Sequence, residues 1–205
     1  MSSATDKVAI VTGGSRGIGA AISRRLAADG FRLVINYAGN ATEAQALVET
    51  LTQTGAHAVA VQGDVSDAAA VSAVFDAADT IFGGIDVLVN NAGIMSLANV
   101  VDTDDAIFDR IVAVNLKGTL NTLREAARRL RSGGRIVNLS TSQVGLFHPT
   151  YGVYAATKAG VEALTRVLSK ELRGRNINVN AVAPGPTATD LFFARQITRG
   201  DRTVH

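Results

Sequence analysis

Short apolar runs rich in valine and isoleucine recur along the chain, and between them apolar positions return every three or four residues. The first run, Val8-Ala9-Ile10-Val11, meets a glycine cluster and then Ala20-Ala21-Ile22-Ser23-Arg24-Arg25-Leu26. That succession predicts a buried strand, a tight turn and a helix. Phe31 to Asn36 predicts a second strand, and Thr42 to Gln53 a helix entered through an Asn40 or Thr42 cap. His57 to Gln62 reads as strand three. Asp67 to Phe82 carries apolar residues at Ala70, Val71, Val74, Ala77 and Ala78 and ends at Gly83-Gly84, the mark of a helix and its stop. Strand four, Val87-Leu88-Val89, runs into Asn90-Asn91-Ala92-Gly93. A long helical pattern opens near Thr103 or Asp104, passes through Asn115 and continues to Arg131, breaking at Gly133-Gly134. Arg135 to Leu139, Tyr151 to Arg173 and Ile177 to Val182 predict strand five, a helix and strand six. Valine-rich strands alternating with helices predict an α/β chain built on a doubly wound parallel sheet covered on both faces.

Length and composition confine this to one domain. The 205 residues suffice for one substantial core, and 47% hydrophobic residues with 3 prolines describe a compact chain. The chain has no cysteine, which excludes disulfides and thiolate metal sites and fits a reducing compartment. Met1 to Lys7 lacks an apolar signal core, and no apolar run approaches the ~18 residues that span a bilayer. The expectation is a cytoplasmic protein with no membrane partner. Net charge is +2, and Arg124, Arg128, Arg129 and Arg131 form the one basic cluster that suggests nucleic acid. Cations in the last turns of a helix also complement its dipole and sit in water, and on that ground no nucleic-acid partner is expected. His57, His148 and His205 are scattered and form no metal set.

The glycine turn is a phosphate seat. Glycines accept positive φ and admit a pyrophosphate close to the backbone, while the first N–H groups of the helix and its dipole attract the charge. Gly13, Gly17 and Gly19, with Ser15, Arg16 and Ile18 between them, are candidate cofactor contacts, although the spacing departs from GxGxxG. In such sheets ligands bind beyond the carboxyl ends of the strands. Asn36, Asp64, Asn91, Ser142 and Thr187 stand at those ends. Tyr154 and Lys158, four apart, share one face of a helix. A free tyrosine ionises near ~10, so service near neutrality needs up to ~4 kcal/mol. One ammonium at ~4 to 6 Å supplies ~3 to 4 kcal/mol at an effective dielectric of ~20.

The glycine turn, Asn90-Asn91-Ala92-Gly93, Ser142 with Tyr154-Ala155-Ala156-Thr157-Lys158, and Pro184-Gly185-Pro186-Thr187-Ala188-Thr189 together resemble the short-chain dehydrogenase/reductase family. The resemblance covers about Lys7 to Leu191 and is nearest to the 3-oxoacyl-thioester reductases and related carbonyl reductases. It implies a single-domain Rossmann fold that reduces a ketone with hydride from a nicotinamide cofactor. It implies a tetrad of Asn115, Ser142, Tyr154 and Lys158. Ser142 stands three residues before Gly145, as the family's active serine does, and donates to the substrate oxygen. Tyr154 gives the proton, Lys158 tunes it and grips the ribose, and Asn115 anchors a proton-relaying water. Tyr151 has Ala155 four residues on and is excluded as the acid, though it can line the pocket.

Charge selects the cofactor. Strand two ends in Asn36-Tyr37 with no carboxylate to repel a phosphate, and Arg16 is placed to meet a 2′-phosphate, so NADP(H) is expected. By resemblance Asp64 and Val65 flank the adenine. The Asn91-Ala92-Gly93 backbone lines the ribose, and Pro184, Gly185 and Thr187 or Thr189 face the nicotinamide. Family members normally add a substrate-covering segment, a helix and a seventh strand, and residues 192 to 205 match none of these. The sequence therefore predicts a dinucleotide-binding domain over 1–191 and an atypical tail over 192–205. Six strands are expected, with a homodimer through the two long helices, Asp104 to Arg131 and Tyr151 to Arg173. A second reading is a truncated member that binds nucleotide or partners without turnover.

Overall fold

The computed structural model describes residues 6–188, and the predicted tail and Thr189 lie outside them. The order is β1 (Val8–Val11), α1 (Gly17–Ala28), β2 (Arg32–Tyr37), α2 (Ala41–Gln53), β3 (Ala58–Gln62), α3 (Ala68–Phe82) and β4 (Ile85–Asn90). There follow α4 (Asp105–Ile111), α5 (Gly118–Arg129), β5 (Leu130–Leu139), α6 (Gln143–Leu146), α7 (Gly152–Glu171) and β6 (Asn178–Val182). The six strands are parallel and lie in the order β3-β2-β1-β4-β5-β6. The chain winds outward from β1 to β3, returns to lay β4 on the other side of β1, and winds outward again. The reversal between β1 and β4 opens a crevice at the strand ends.

Local side chains and one glycine set the helix ends. Asn40 accepts from Glu43 N–H at the start of α2, Asp67 accepts from Ala69 N–H at the start of α3, and Gly83 closes α3 at φ 78°. In β1 the pleat sends Val8 and Ile10 into the core shared with α3 and α5. Ala9 and Val11 enter the core on the other face, with Leu47, Val48 and Leu51 of α2. Both faces of the sheet are thus dry. No helix of the described residues is long and apolar enough to cross a membrane.

Two expectations are corrected. The helical pattern expected over Asp104 to Arg131 is not one helix: α4 gives way to a wider π-helical turn over Val112–Lys117 before α5 begins. Nor does it reach Gly133-Gly134. Leu130 turns extended and pairs with Ile85, so β5 starts five residues before the predicted Arg135, with a register shift before Val87 meets Arg135. The Ser-Gly-Gly interruption conceals this, because the glycines sit inside the strand as an irregularity. In the arginine cluster Arg124 and Arg128 are exposed, as the solvated reading has it, but Arg129 differs. Arg129 is 19% exposed in its side chain and binds Asp76 at 2.8 Å, Asp79 at 2.5 Å and Glu125 at 3.2 Å, with its guanidinium over the Phe75 ring. Burial works against its charge, but the three carboxylates outweigh burial and raise its pKa. Arg131 pairs with Asp86.

Candidate active site

A cleft of about 640 Å³ lies along the carboxyl ends of the strands. Its floor is the glycine turn. Gly13 and Gly17 take φ values of 57° and 53°, which side chains resist. A Cβ on Gly19 would stand 2.2 Å from Gly13 O and 2.5 Å from Asn91 Nδ2, so Gly19 sits behind the turn and sets its closeness to α1. No side chain caps α1 at Arg16, which leaves the helix N-terminus facing the cleft beside Ser15, Arg16, Gly17 and Ile18. This is the cradle that a pyrophosphate requires.

The turn is clamped from β4. Asn91 Nδ2 donates to Thr12 O at 3.0 Å and Gly13 O at 2.9 Å, while Thr12 Oγ1 accepts from the backbone N–H groups of Asn91 and Ala92. Thr12 escaped the sequence reading because its partners are about eighty residues away and no spacing signals them.

Further along, Asn36 and Tyr37 line the cleft at the end of β2, and Glu43 of α2 lines it beside them. The buried Asn36 amide donates to Gly63 O at 2.9 Å, tying the ends of β2 and β3 together, and half-buried Tyr37 lines the cleft next to it. Asp64 and Val65 line it as well. Burial works to raise the Asp64 pKa. The Ser66 N–H and hydroxyl and the Arg110 guanidinium, 2.9 Å from Oδ2, outweigh it and hold the carboxyl below its ordinary value. Val65 O accepts from Asn121 Nδ2 at 2.9 Å, which fixes that wall from α5. Arg110 also lines the cleft, and no motif announced it.

At the other end stand Ser142, Tyr154 and Lys158. Ser142 follows β5, and its N–H donates to Pro184 O at 3.0 Å, bringing Pro184, Gly185 and Thr187 to the same wall. Lys158 is 4% exposed; Nζ lies 5.9 Å from the Tyr154 ring centroid and donates to Leu139 O at 2.7 Å. Ser140, after β5, donates to the Glu162 carboxylate at 2.7 Å. Tyr151 is buried and lines the cleft, its ring centroid 6.4 Å from that of Tyr154.

Asn115 is buried in the π turn behind the cleft. Its Oδ1 accepts from Ile94 N–H and its Nδ2 donates to Ile94 O, both at 2.9 Å, so both ends of the amide are engaged by protein. A methyl on Gly93 would stand 3.3 Å from Asn115 Oδ1 and 3.5 Å from Lys158 Nζ, which brings three predicted positions into one neighbourhood.

The titration differs from the expectation that Lys158 draws the phenol down. Burial pushes Tyr154 above its ordinary value; a Thr141 hydroxyl contact offsets part of this and Tyr151 adds to the rise. Burial likewise lowers Lys158 to about 8. A dry site penalises both charged forms, and the ammonium already spends a bond on Leu139 O. At neutral pH the phenol therefore carries its proton.

The family model for short chain dehydrogenases matches residues 7–199. The chain belongs to the short-chain dehydrogenase family. A short-chain type dehydrogenase/reductase from Picea abies is 43% identical over 198 residues, 92% of this chain and 73% of that protein. An NADPH-dependent aldehyde reductase-like chloroplastic protein from Arabidopsis thaliana is 44% identical over 91% of this chain and 74% of its own length. The crystal structure of a short chain dehydrogenase from Burkholderia cenocepacia in complex with NADP superposes with a TM-score of 0.89 at 41% identity, covering 92% of this chain and 78% of that one. This short-chain dehydrogenase thus shares its parallel sheet and its oxidoreductase class with proteins of known structure.

Proposed function

We propose that the chain is an NADPH-dependent carbonyl reductase that converts a ketone or aldehyde to an alcohol. The observation that carries this reading is the meeting, in one cleft, of an uncapped helix N-terminus on a glycine turn with Tyr154, Lys158 and a hydroxyl pair at the end of β5. The chemistry that NADPH supplies when bound is a hydride to the carbonyl carbon. The glycine turn and α1 would hold the pyrophosphate, and Arg16, with no carboxylate at the end of β2, would favour the 2′-phosphate. That the Arabidopsis relative is named for NADPH and the Burkholderia relative holds NADP supports the choice.

Tyr154 gives its proton to the oxygen as negative charge develops there, forming the O–H bond of the alcohol and leaving a phenolate. Ser142 donates a hydrogen bond to the same oxygen. Lys158 stabilises the phenolate, and Asn115 positions Ile94 at the cleft wall. A raised phenol suits this direction, because reduction needs the proton in place.

The test is to titrate the purified chain with NADPH and NADH by fluorescence, then to add aldehydes, simple ketones and a short 3-oxoacyl thioester and follow loss of NADPH. Binding followed by oxidation is expected, and Tyr154→Phe should lower turnover at least about 100-fold while leaving NADPH affinity within a few-fold. Undiminished turnover in Tyr154→Phe overturns the mechanism.

A further inference from the structure

Two helices bring first-turn residues to the cleft, and their N-termini are prepared differently. At α1 no side chain caps the helix and no acidic residue stands in the first turn. At α2 both are present. Asn40 Oδ1 accepts from Glu43 N–H at 3.1 Å, and Asn40 Nδ2 donates back to Glu43 Oε2 at 3.3 Å. Glu43, in the first turn, also opposes the positive end of the helix dipole. The α2 end is thereby closed to an anion, whereas the α1 end is open to one.

Glu43 is half-buried, lines the cleft, and among the described residues pairs with no cation. It stands just beyond the end of β2, where dinucleotide folds of this kind seat the adenosine ribose. The connection from Asn36 to Asn40 lines the cleft throughout, and Gly14 N–H donates to Asn36 O at 3.0 Å, so the glycine turn with Arg16 is laced to the same place. A phosphate on the ribose would feel both Arg16 and Glu43, one attracting and one repelling. Coulomb interaction acts across a cleft and needs no contact. We propose that Glu43 is a cofactor-specificity residue that opposes the 2′-phosphate. The preference of this chain for NADPH over NADH is then a difference between Arg16 and Glu43, not the worth of Arg16 alone. The inference rests on the reading that the cleft binds NADPH and adds how the cleft weighs it against NADH.

The test measures Kd for NADPH and for NADH by fluorescence titration of the full chain, wild type against Glu43→Gln. Glutamine can keep the reciprocal bonds with Asn40 that start α2, and it removes the charge. NADPH should bind about 3-fold to 10-fold more tightly in the variant, the order expected when one like charge near a phosphate dianion is removed, while NADH stays within about twofold. That gain should shrink by about half or more in ~0.5 M salt, where the Debye length falls to roughly 4 Å. Urea unfolding of both chains reports that the variant folds. An NADH-to-NADPH Kd ratio unchanged within about twofold overturns the inference and leaves the cofactor reading standing. A ratio that rises only because NADH weakens overturns it too, since Glu43 would then be an acceptor for the ribose hydroxyls. Should wild type bind neither nucleotide, the cofactor reading fails and the inference with it.

Discussion

Lys158 donates a 2.7 Å hydrogen bond to the carbonyl oxygen of Leu139, inside a wall where the lysine is 4% exposed. Burial lowers its pKa from the ordinary 10.5 to about 8. Between those two values the unfolded chain holds a proton that the folded chain has released, so stability rises with pH across this window. Below about pH 8 the folded chain bears the full cost of a dry ammonium, about 3 kcal/mol for this difference.

Lys158→Met removes that cost along with the group. Its stability relative to wild type, measured by urea unfolding, should be most favourable at pH 7 and should lose about 2 to 3 kcal/mol of that advantage by pH 10.5. A pH-independent difference would show that the ammonium is solvated in the folded chain.

Two hydroxyls compete for the role beside Tyr154. Thr141 touches the phenol and favours its ionised form, whereas Ser142 has the position that the family pattern selects. Ser142→Ala should lower kcat about 100-fold or more, as loss of an oxyanion donor does. Thr141→Val should instead move the alkaline limb of the pH–rate profile upward with a smaller loss of kcat. The opposite pattern would make Thr141 the donor to substrate.

Much of this was legible beforehand, and the rest was not for a definite reason. Local spacing carried the centres of the strands, a cap at Asn40 or Thr42, the Gly83 stop and the Tyr154–Lys158 pair, since each depends on neighbours within a few residues. What escaped was built from distant partners. Asn90 Nδ2 donates to Asn138 Oδ1 at 2.8 Å, Thr122 Oγ1 donates to Asn90 Oδ1 at 2.6 Å, and Asn138 Nδ2 donates to Thr165 Oγ1 at 2.8 Å. This buried chain of polar groups links α5, β4, β5 and α7, and its members look like ordinary polar residues in sequence. The π turn escaped likewise, because one wider turn barely disturbs a helical period.

Gly19→Ala tests the closeness of the turn. A Cβ there would meet Gly13 O and Asn91 Nδ2 at 2.2 and 2.5 Å, so the turn must shift. NADPH affinity should fall at least about tenfold in a fluorescence titration, equivalent to about 1.4 kcal/mol. Retained affinity would mean that α1 slides without disturbing the phosphate seat.

Arg16→Ala should weaken NADPH by about 10-fold to 150-fold, the worth of one charge-assisted contact, and NADH far less. Equal losses for both would assign Arg16 to the pyrophosphate or to solvent.

The bond from Ser142 N–H to Pro184 O extends the pairing of β5 and β6 past Val182 and into the cleft wall. β6 is the outermost described strand on its side of the sheet, with most of its residues exposed. Peeling it from β5 would carry Pro184 to Thr187 away from the site. Fraying at this margin and loss of the cleft wall are thus linked, and a ligand seated against Pro184 to Thr187 would act as a clasp on the rim of the sheet.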